Sequence, residues 1–182
     1  MEVLVIFIFP LFIYIALKIA IFRDIDYTEI DKRRHAEGIR LYELGFYNEA
    51  LRYFDKKVVE DTKSMVVYAY RGMANQALKN YYQALYNFDK ALALNHDIRL
   101  LFLYRAQCLY EIGDYELALK AVNKALWYLR DESIEAYNCK KNILLKLNKP
   151  EEVQKCADKI AKIQLQTASK NKKKYLLKKI FH

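Results

Sequence analysis

The chain is poor in glycine and poorer in proline, with four and two respectively in 182 residues. A β-sandwich or barrel needs such punctuation roughly every 8–12 residues, so turn-rich β architectures are excluded. Collagen-like and Gly/Ser-rich disordered chains are excluded with them. Cysteine is scarce as well. Cys108, Cys139 and Cys156 are odd in number and form no C-x-x-C pair, which argues against a disulfide framework or a zinc ribbon. Cys139 and Cys156 could pair in an oxidising compartment. Three plain thiols suit a reducing one better and read as small apolar fillers.

Catalytic signatures are missing too. There is no P-loop, no G-x-G-x-x-G, no H-E-x-x-H and no G-x-S-x-G. The histidines stand at 35, 96 and 182, without metal-ligand spacing. Asp24 and Asp26 form a lone acidic pair in a linker and read as solvated. No catalytic residue, metal site or cofactor is expected, and the chain reads as a non-enzyme.

What is present is apolar mass and a divided charge. Hydrophobic residues make up 54% of the chain, with sixteen Tyr, nine Phe and one Trp, enough to build a core. The net charge of +9 is uneven: residues 1–30 carry −2, 31–167 carry +5 and 168–182 carry +6. This balance admits acidic proteins, anionic lipid or nucleic acid as partners and does not choose among them.

Residues 3–22 read VLVIFIFPLFIYIALKIAIF. Twenty helical residues span about 30 Å, the thickness of a bilayer core. Lys18 is the single charge and lies near the end, where it can snorkel. Pro10 is tolerated in a membrane span. A cleaved signal peptide fits less well, because Glu2 replaces a basic n-region and the apolar run is long. The expectation is one uncleaved transmembrane signal-anchor over 3–22, followed by a juxtamembrane linker over 23–30. Arg23, Lys32, Arg33 and Arg34 follow the span and no cation precedes it. The positive-inside rule then puts the N-terminus outside and the body in the cytoplasm.

A 34-residue repeat follows. GFYNEALRYFDK begins at Gly45, KNYYQALYNFDK at Lys79 and GDYELALKAVNK at Gly113. Ala50, Ala84 and Ala118 share one phase, as do Lys56, Lys90 and Lys124. A second helical stretch lies upstream of each block, so each unit is a helix–turn–helix, the pattern of a helical solenoid. Asn80 with Gln83 offers a capping pair, and Asp114 an N-cap. A looser fourth unit runs one residue out of phase, with Tyr137, Leu144, Val153, Ala157, Ile160 and a turn at Pro150.

These positions resemble the tetratricopeptide repeat (TPR) family, whose pattern is W-x2-L-G-x2-Y, then A-x3-F. Unit 31–64 offers Arg34, Glu37, Gly38, Leu41, Ala50 and Phe54. Unit 65–98 offers Tyr68, Arg71, Gly72, Asn75, Ala84, Phe88 and Ala91. Unit 99–132 offers Phe102, Arg105, Ala106, Leu109, Ala118, Val122 and Ala125. The fourth unit, 133–167, is degenerate, and no repeat ends in Pro. The small residues let paired helices approach, and Phe54 and Phe88 fill the space between units. Arg71 and Arg105 stand where Leu is usual. Stacking would bring them to Asp55 and Asp89, an expected inter-repeat ion-pair ladder; an anion site is the alternative. The implied fold is an all-α, TPR-type helix-turn-helix solenoid, a right-handed superhelix, preceded by a single transmembrane helix.

TPR arrays bind peptides or helices on a concave face lined by their first helices. Carried over by phase, this nominates His35, Ile39, Tyr42 and Glu43, then Ala69, Tyr70, Met73 and Gln76. The third unit adds Leu103, Tyr104, Gln107, Tyr110 and Glu111, and the fourth Asn138 and Asn142. The lining is aromatic and neutral. Clamps for chaperone tails need Lys and Asn where His35 and Ile39 stand, which disfavours that activity.

The tail is KNKKKYLLKKIFH. On a helix over 168–182, Tyr175, Leu176, Leu177, Ile180 and Phe181 gather opposite Lys172, Lys173, Lys174, Lys178 and Lys179. It reads as a cap on the last repeat or as an interfacial helix on anionic lipid; nucleic acid is the weakest partner, lacking a stacking platform. The resulting expectation is a single-pass, membrane-anchored scaffold for protein–protein interaction, with the identity of the protein or peptide partner open. An exported assembly factor of the same fold and a membrane-surface or RNA-binding protein acting through the tail are the alternatives.

Overall fold

The computed structural model describes residues 12, 14, 27–95, 99–130 and 132–180, with side chains through 170. The expected membrane span over 3–22 lies, apart from Phe12 and Tyr14, outside the described residues. No helix among the described residues is long and apolar enough to cross a membrane. The chain divides into two compact units, residues 1–36 and 37–182. The expected first repeat begins at 31, so its opening residues fall in the N-terminal unit.

In that unit, α1 (Tyr27–Arg34) occupies the second half of the expected linker. It carries Glu29 in its first turn and three cations in its last, matching the helix dipole. The helix is interrupted at His35, whose N–H is shared between the carbonyls of Asp31 and Lys32 at 3.1 and 3.2 Å. The next helix, α2 (Ala36–Glu43), leads into the second unit.

The second unit continues with α3 (Tyr47–Glu60), α4 (Met65–Ala77), α5 (Tyr81–Leu94), α6 (Arg99–Ile112), α7 (Tyr115–Tyr128), α8 (Ile134–Lys146) and α9 (Pro150–Ile180). They run in sequential pairs: α2 with α3, α4 with α5, α6 with α7, α8 with α9. The second helices start at 47, 81, 115 and 150. The spacing is 34 residues twice and then 35, so the fourth pair keeps the architecture one residue late.

Each pair turns in the same way. Gly45, Lys79, Gly113 and Asn148 adopt left-handed φ of 82°, 63°, 93° and 53°. The following N–H reaches back to a carbonyl five residues earlier: Phe46 to Leu41, Asn80 to Asn75, Asp114 to Leu109 and Lys149 to Leu144, at 2.8–3.0 Å. These are the closing bonds of a Schellman motif, which satisfies carbonyls that the helix end leaves open. Pro150 then opens α9, where its missing N–H costs nothing.

Capping follows the sequence in part. Asp114 accepts from the Leu117 N–H at 3.3 Å, as expected. Asn80 makes no side-chain cap bond; its Nδ2 instead lies 3.4 Å from Asn75 Oδ1. Two caps were not anticipated: Ser64 Oγ accepts from Val67 and Ser133 Oγ from Ala136, each at 3.1 Å.

The repeat residues form the core. Ala50, Ala84, Ala118, Phe54, Phe88 and Val122 are all fully buried. The close approach at the glycines is real. A Cβ at Gly72 would stand 2.6 Å from Phe88 Cε1, and one at Gly38 would stand 2.8 Å from Phe54 Cζ. In the fourth pair Ile143, Leu144 and Cys156 supply the buried contacts. The sequence reading ends the solenoid at 167 and starts a separate tail helix at 168. The structure joins them: α9 is one helix of 31 residues, about 46 Å long.

Candidate functional site

The first helices α2, α4, α6 and α8 present one row of aromatic and amide side chains. Tyr42 meets Tyr47 at 5.4 Å between ring centroids and Tyr70 edge-on at 5.8 Å. Tyr70 stacks on the buried ring of Phe54 at 5.8 Å, and one repeat later Tyr104 stacks on Phe88 at 6.0 Å. Each of these tyrosines thus packs one ring face against the core while remaining half-exposed. Burial pushes the Tyr42 phenol up to about 12, with added repulsion from Tyr104, Tyr47 and Tyr70. Tyr104 shifts upward through burial and then through Glu135. The phenols of three helical pairs therefore share one neighbourhood.

A polar row runs across the same helices. Gln76 Nε2 donates to Gln107 Oε1 at 3.1 Å, and Gln107 Nε2 donates to Glu135 Oε1 at 3.2 Å. One chain of side-chain hydrogen bonds thus crosses α4, α6 and α8. Glu135 was not among the expected groove residues, because its equivalents in the two preceding repeats, Leu100 and Val66, are apolar and lie outside the groove phase. Further along, Tyr110 meets Tyr115 at 5.6 Å. Glu111 bonds to Tyr81, whose phenol is raised by burial and then by that carboxylate.

The other nominated residues sort by burial. Ile39 and Met73 are half-buried against the core, and Glu43, Asn138 and Asn142 are exposed. Ala69 and Leu103 are core residues, 6% and 0% exposed, and do not line a face. His35 is a further correction. It is 2% exposed, with Nε2 3.5 Å from Asp31 Oδ1, so its ring offers no surface to a partner. It also belongs to the N-terminal unit.

The ion-pair ladder has the expected two rungs. Arg71 Nε donates to Asp55 Oδ1 at 2.7 Å and Arg105 Nε to Asp89 Oδ1 at 2.9 Å. All three cysteines are free. Burial, followed by Glu111, raises the Cys108 thiol to about 12; burial, followed by Glu135, raises Cys139 to about 11. Neither is a thiolate at neutral pH, as apolar fillers should be. Lys172, Lys173, Lys174, Lys178 and Lys179 fall on the helical backbone of α9, and their side chains lie outside the described residues.

No family model and no curated protein matches the sequence. Solved structures do. A crystal structure of MamA aligns with TM-score 0.70 at 22% identity, covering 84% of this chain and 86% of that one. MamA from Desulfovibrio magneticus RS-1, from residue 41 to its end, aligns with TM-score 0.65 at 20% identity, covering 76% of each chain. The Arabidopsis OM64 TPR domain aligns with TM-score 0.58 at 19% identity, covering 64% of this chain and 95% of the domain. The shared property is architecture: the described helices are all α, pair sequentially and antiparallel, and form a TPR-like fold.

Proposed function

We propose that this chain is a non-enzymatic TPR-like scaffold that binds a protein or peptide partner on the open face of its first helices. The observation that carries this is the combined row of Tyr42, Tyr70 and Tyr104 with the Gln76–Gln107–Glu135 hydrogen-bond chain. The row runs across helices, as an extended segment laid over them would. Tyrosine supplies contact area and a hydroxyl at low entropic cost, and amides supply adaptable bonds. None of these residues is Lys or Arg, Glu135 is itself a carboxylate, and Glu43 and Glu111 add two more that share one repeat phase on the first helices. The partner segment is therefore neutral to basic.

The scaffold works at a membrane surface. The support is the apolar run 3–22, with cations on its C-terminal side only. Anchoring confines partner encounter to the cytoplasmic face and raises effective concentration. For topology, Ser169→Cys places an exposed thiol on α9. Labelling by a permeant reagent only, in intact cells, supports a cytoplasmic solenoid. Equal labelling by an impermeant reagent points to an exported protein.

The groove itself is tested with Tyr104→Phe and Gln107→Ala. Both leave the ring stacking intact and remove polar contacts. Partner recovery from native membranes should drop while helicity by circular dichroism stays unchanged. Undiminished recovery would place the partner elsewhere.

A further inference from the structure

Between first and second helices lies a feature that the groove does not use. An open cleft of about 450 Å³ is lined by Phe102, Arg105, Lys120, Ala121 and Lys124, with Asp89 and Ala93 at its rim. A second cleft of about 460 Å³ is lined by Tyr137, Lys140, Lys155, Cys156 and Lys159, with Glu152, Asp158 and Lys162 beside it. The two are the same site one repeat apart. Adding 35 to each of the first five residues yields the second five. That is the interval at which α9 follows α7. Both have an aromatic floor, a small residue and three cations in the same places.

The charge in both clefts is in excess. The first holds three cations against one carboxylate, and that carboxylate, Asp89, already accepts from Arg105 Nε. The second holds four cations against two, and one of those two, Asp158, accepts from Gln154. Lys124 Nζ is held 4.5 Å above the centre of the Phe102 ring, so the ring positions an ammonium inside the first cleft. Arg105 spends Nε on Asp89 and keeps its terminal N–H groups for another acceptor.

We propose that these are two equivalent binding sites for a phosphate group, carried either by an anionic lipid headgroup or by a soluble phosphorylated ligand. A phosphate brings close to two negative charges and three strong acceptor oxygens, which matches the excess of two in each cleft. Repetition along the second helices spaces the sites for a surface as well as for separate ligands. The inference does not depend on the groove.

The chain contains its own reporter. Trp127 is the single tryptophan, it is 74% exposed, and it lies one turn beyond Lys124 on α7. Full-length protein is titrated at low salt with inorganic pyrophosphate while Trp127 emission and calorimetric stoichiometry are followed. Two equivalents should bind. Lys120→Gln/Lys124→Gln should remove one and abolish the Trp127 response. Lys155→Gln/Lys159→Gln should remove the other, each loss being at least about tenfold in affinity. Unchanged helicity shows that the variants fold. Competition by phosphatidic-acid vesicles, with quenching of Trp127 by brominated lipid, assigns the sites to headgroups. Pyrophosphate binding without vesicle competition assigns them to a soluble ligand. The proposal is overturned if both cleft variants still bind two equivalents. It is also overturned if binding disappears only when Lys172, Lys173 and Lys174 are neutralised, or if single-stranded RNA displaces pyrophosphate at far lower phosphate concentration.

Discussion

Arg71 Nε donates to Asp55 Oδ1 at 2.7 Å across the junction between the first two helical pairs, and its Nη1 donates to Asn87 Oδ1 at 3.2 Å. Asn87 is fully buried, and its Nδ2 is spent on the Gln83 carbonyl at 2.6 Å. One guanidinium therefore satisfies both a surface carboxylate and a core amide. Arg105 repeats only the first half, pairing with Asp89, because Ala121 stands one repeat after Asn87 and offers no amide.

The two arginines should differ in consequence. Arg71→Ala leaves a buried acceptor without its partner and should cost about 1–3 kcal/mol. Arg105→Ala loses a pair whose carboxylate is 58% exposed and should cost about 0–1 kcal/mol. Urea denaturation of both variants checks this. Equal losses would show that Asn87 does not depend on Arg71.

The glycines are of two kinds and should fail differently. At Gly72 a methyl would meet Phe88 Cε1 at 2.6 Å, so Gly72→Ala should cost about 1–3 kcal/mol, with part recovered by Phe88→Leu. Nothing lies within 4 Å of a Cβ at Gly113, but its φ is 93°. Gly113→Ala should cost about 1 kcal/mol through the backbone alone, and no repacking should restore it. Lys79 occupies the same turn position with φ 63°. Lys79→Gly should therefore raise stability by about 0.5–1 kcal/mol. Thermal melts of the three variants report the signs, and a destabilised Lys79→Gly would contradict the turn assignment.

Alkaline pH should loosen the array through its tyrosines. Tyr42 is held near 12 in the fold against 10.0 in a free chain. The folded value is the raised one, so the stability is whole below pH 10 and is lost as pH climbs toward 12, where only the unfolded chain has released the proton. Urea midpoints measured through this window should fall, and less steeply in Tyr42→Phe. A variant with an unchanged slope would place the effect in Tyr104, Tyr81 or Tyr53, which are also raised.

The repeat was legible because it is written in covalent spacing. Residues 34 apart occupy equivalent places whatever the surroundings, so Ala50, Ala84 and Ala118 revealed the pairing, and Arg71 with Asp55 revealed a contact. What escaped depends on side-chain direction and on phase. His35 follows the groove periodicity, yet the helix breaks there and its ring is buried. Leu103 follows it too, and packing draws it into the core. Glu135 was hidden because its repeat equivalents, Leu100 and Val66, are apolar and carry no groove signal. The boundary expected at 168 rested on a change of composition, and a helix can cross such a change without a break.

Site-directed photocrosslinking tests the groove most directly. A photoreactive amino acid is placed at Tyr110 or Asn142 on the first helices, and at Tyr82 or Glu116 on the exposed side of the second helices, in full-length protein in its native membrane. The account predicts the same protein adduct from both groove positions and no protein adduct from the other two. Adducts from Tyr82 and Glu116 alone, or equally from all four, would contradict it.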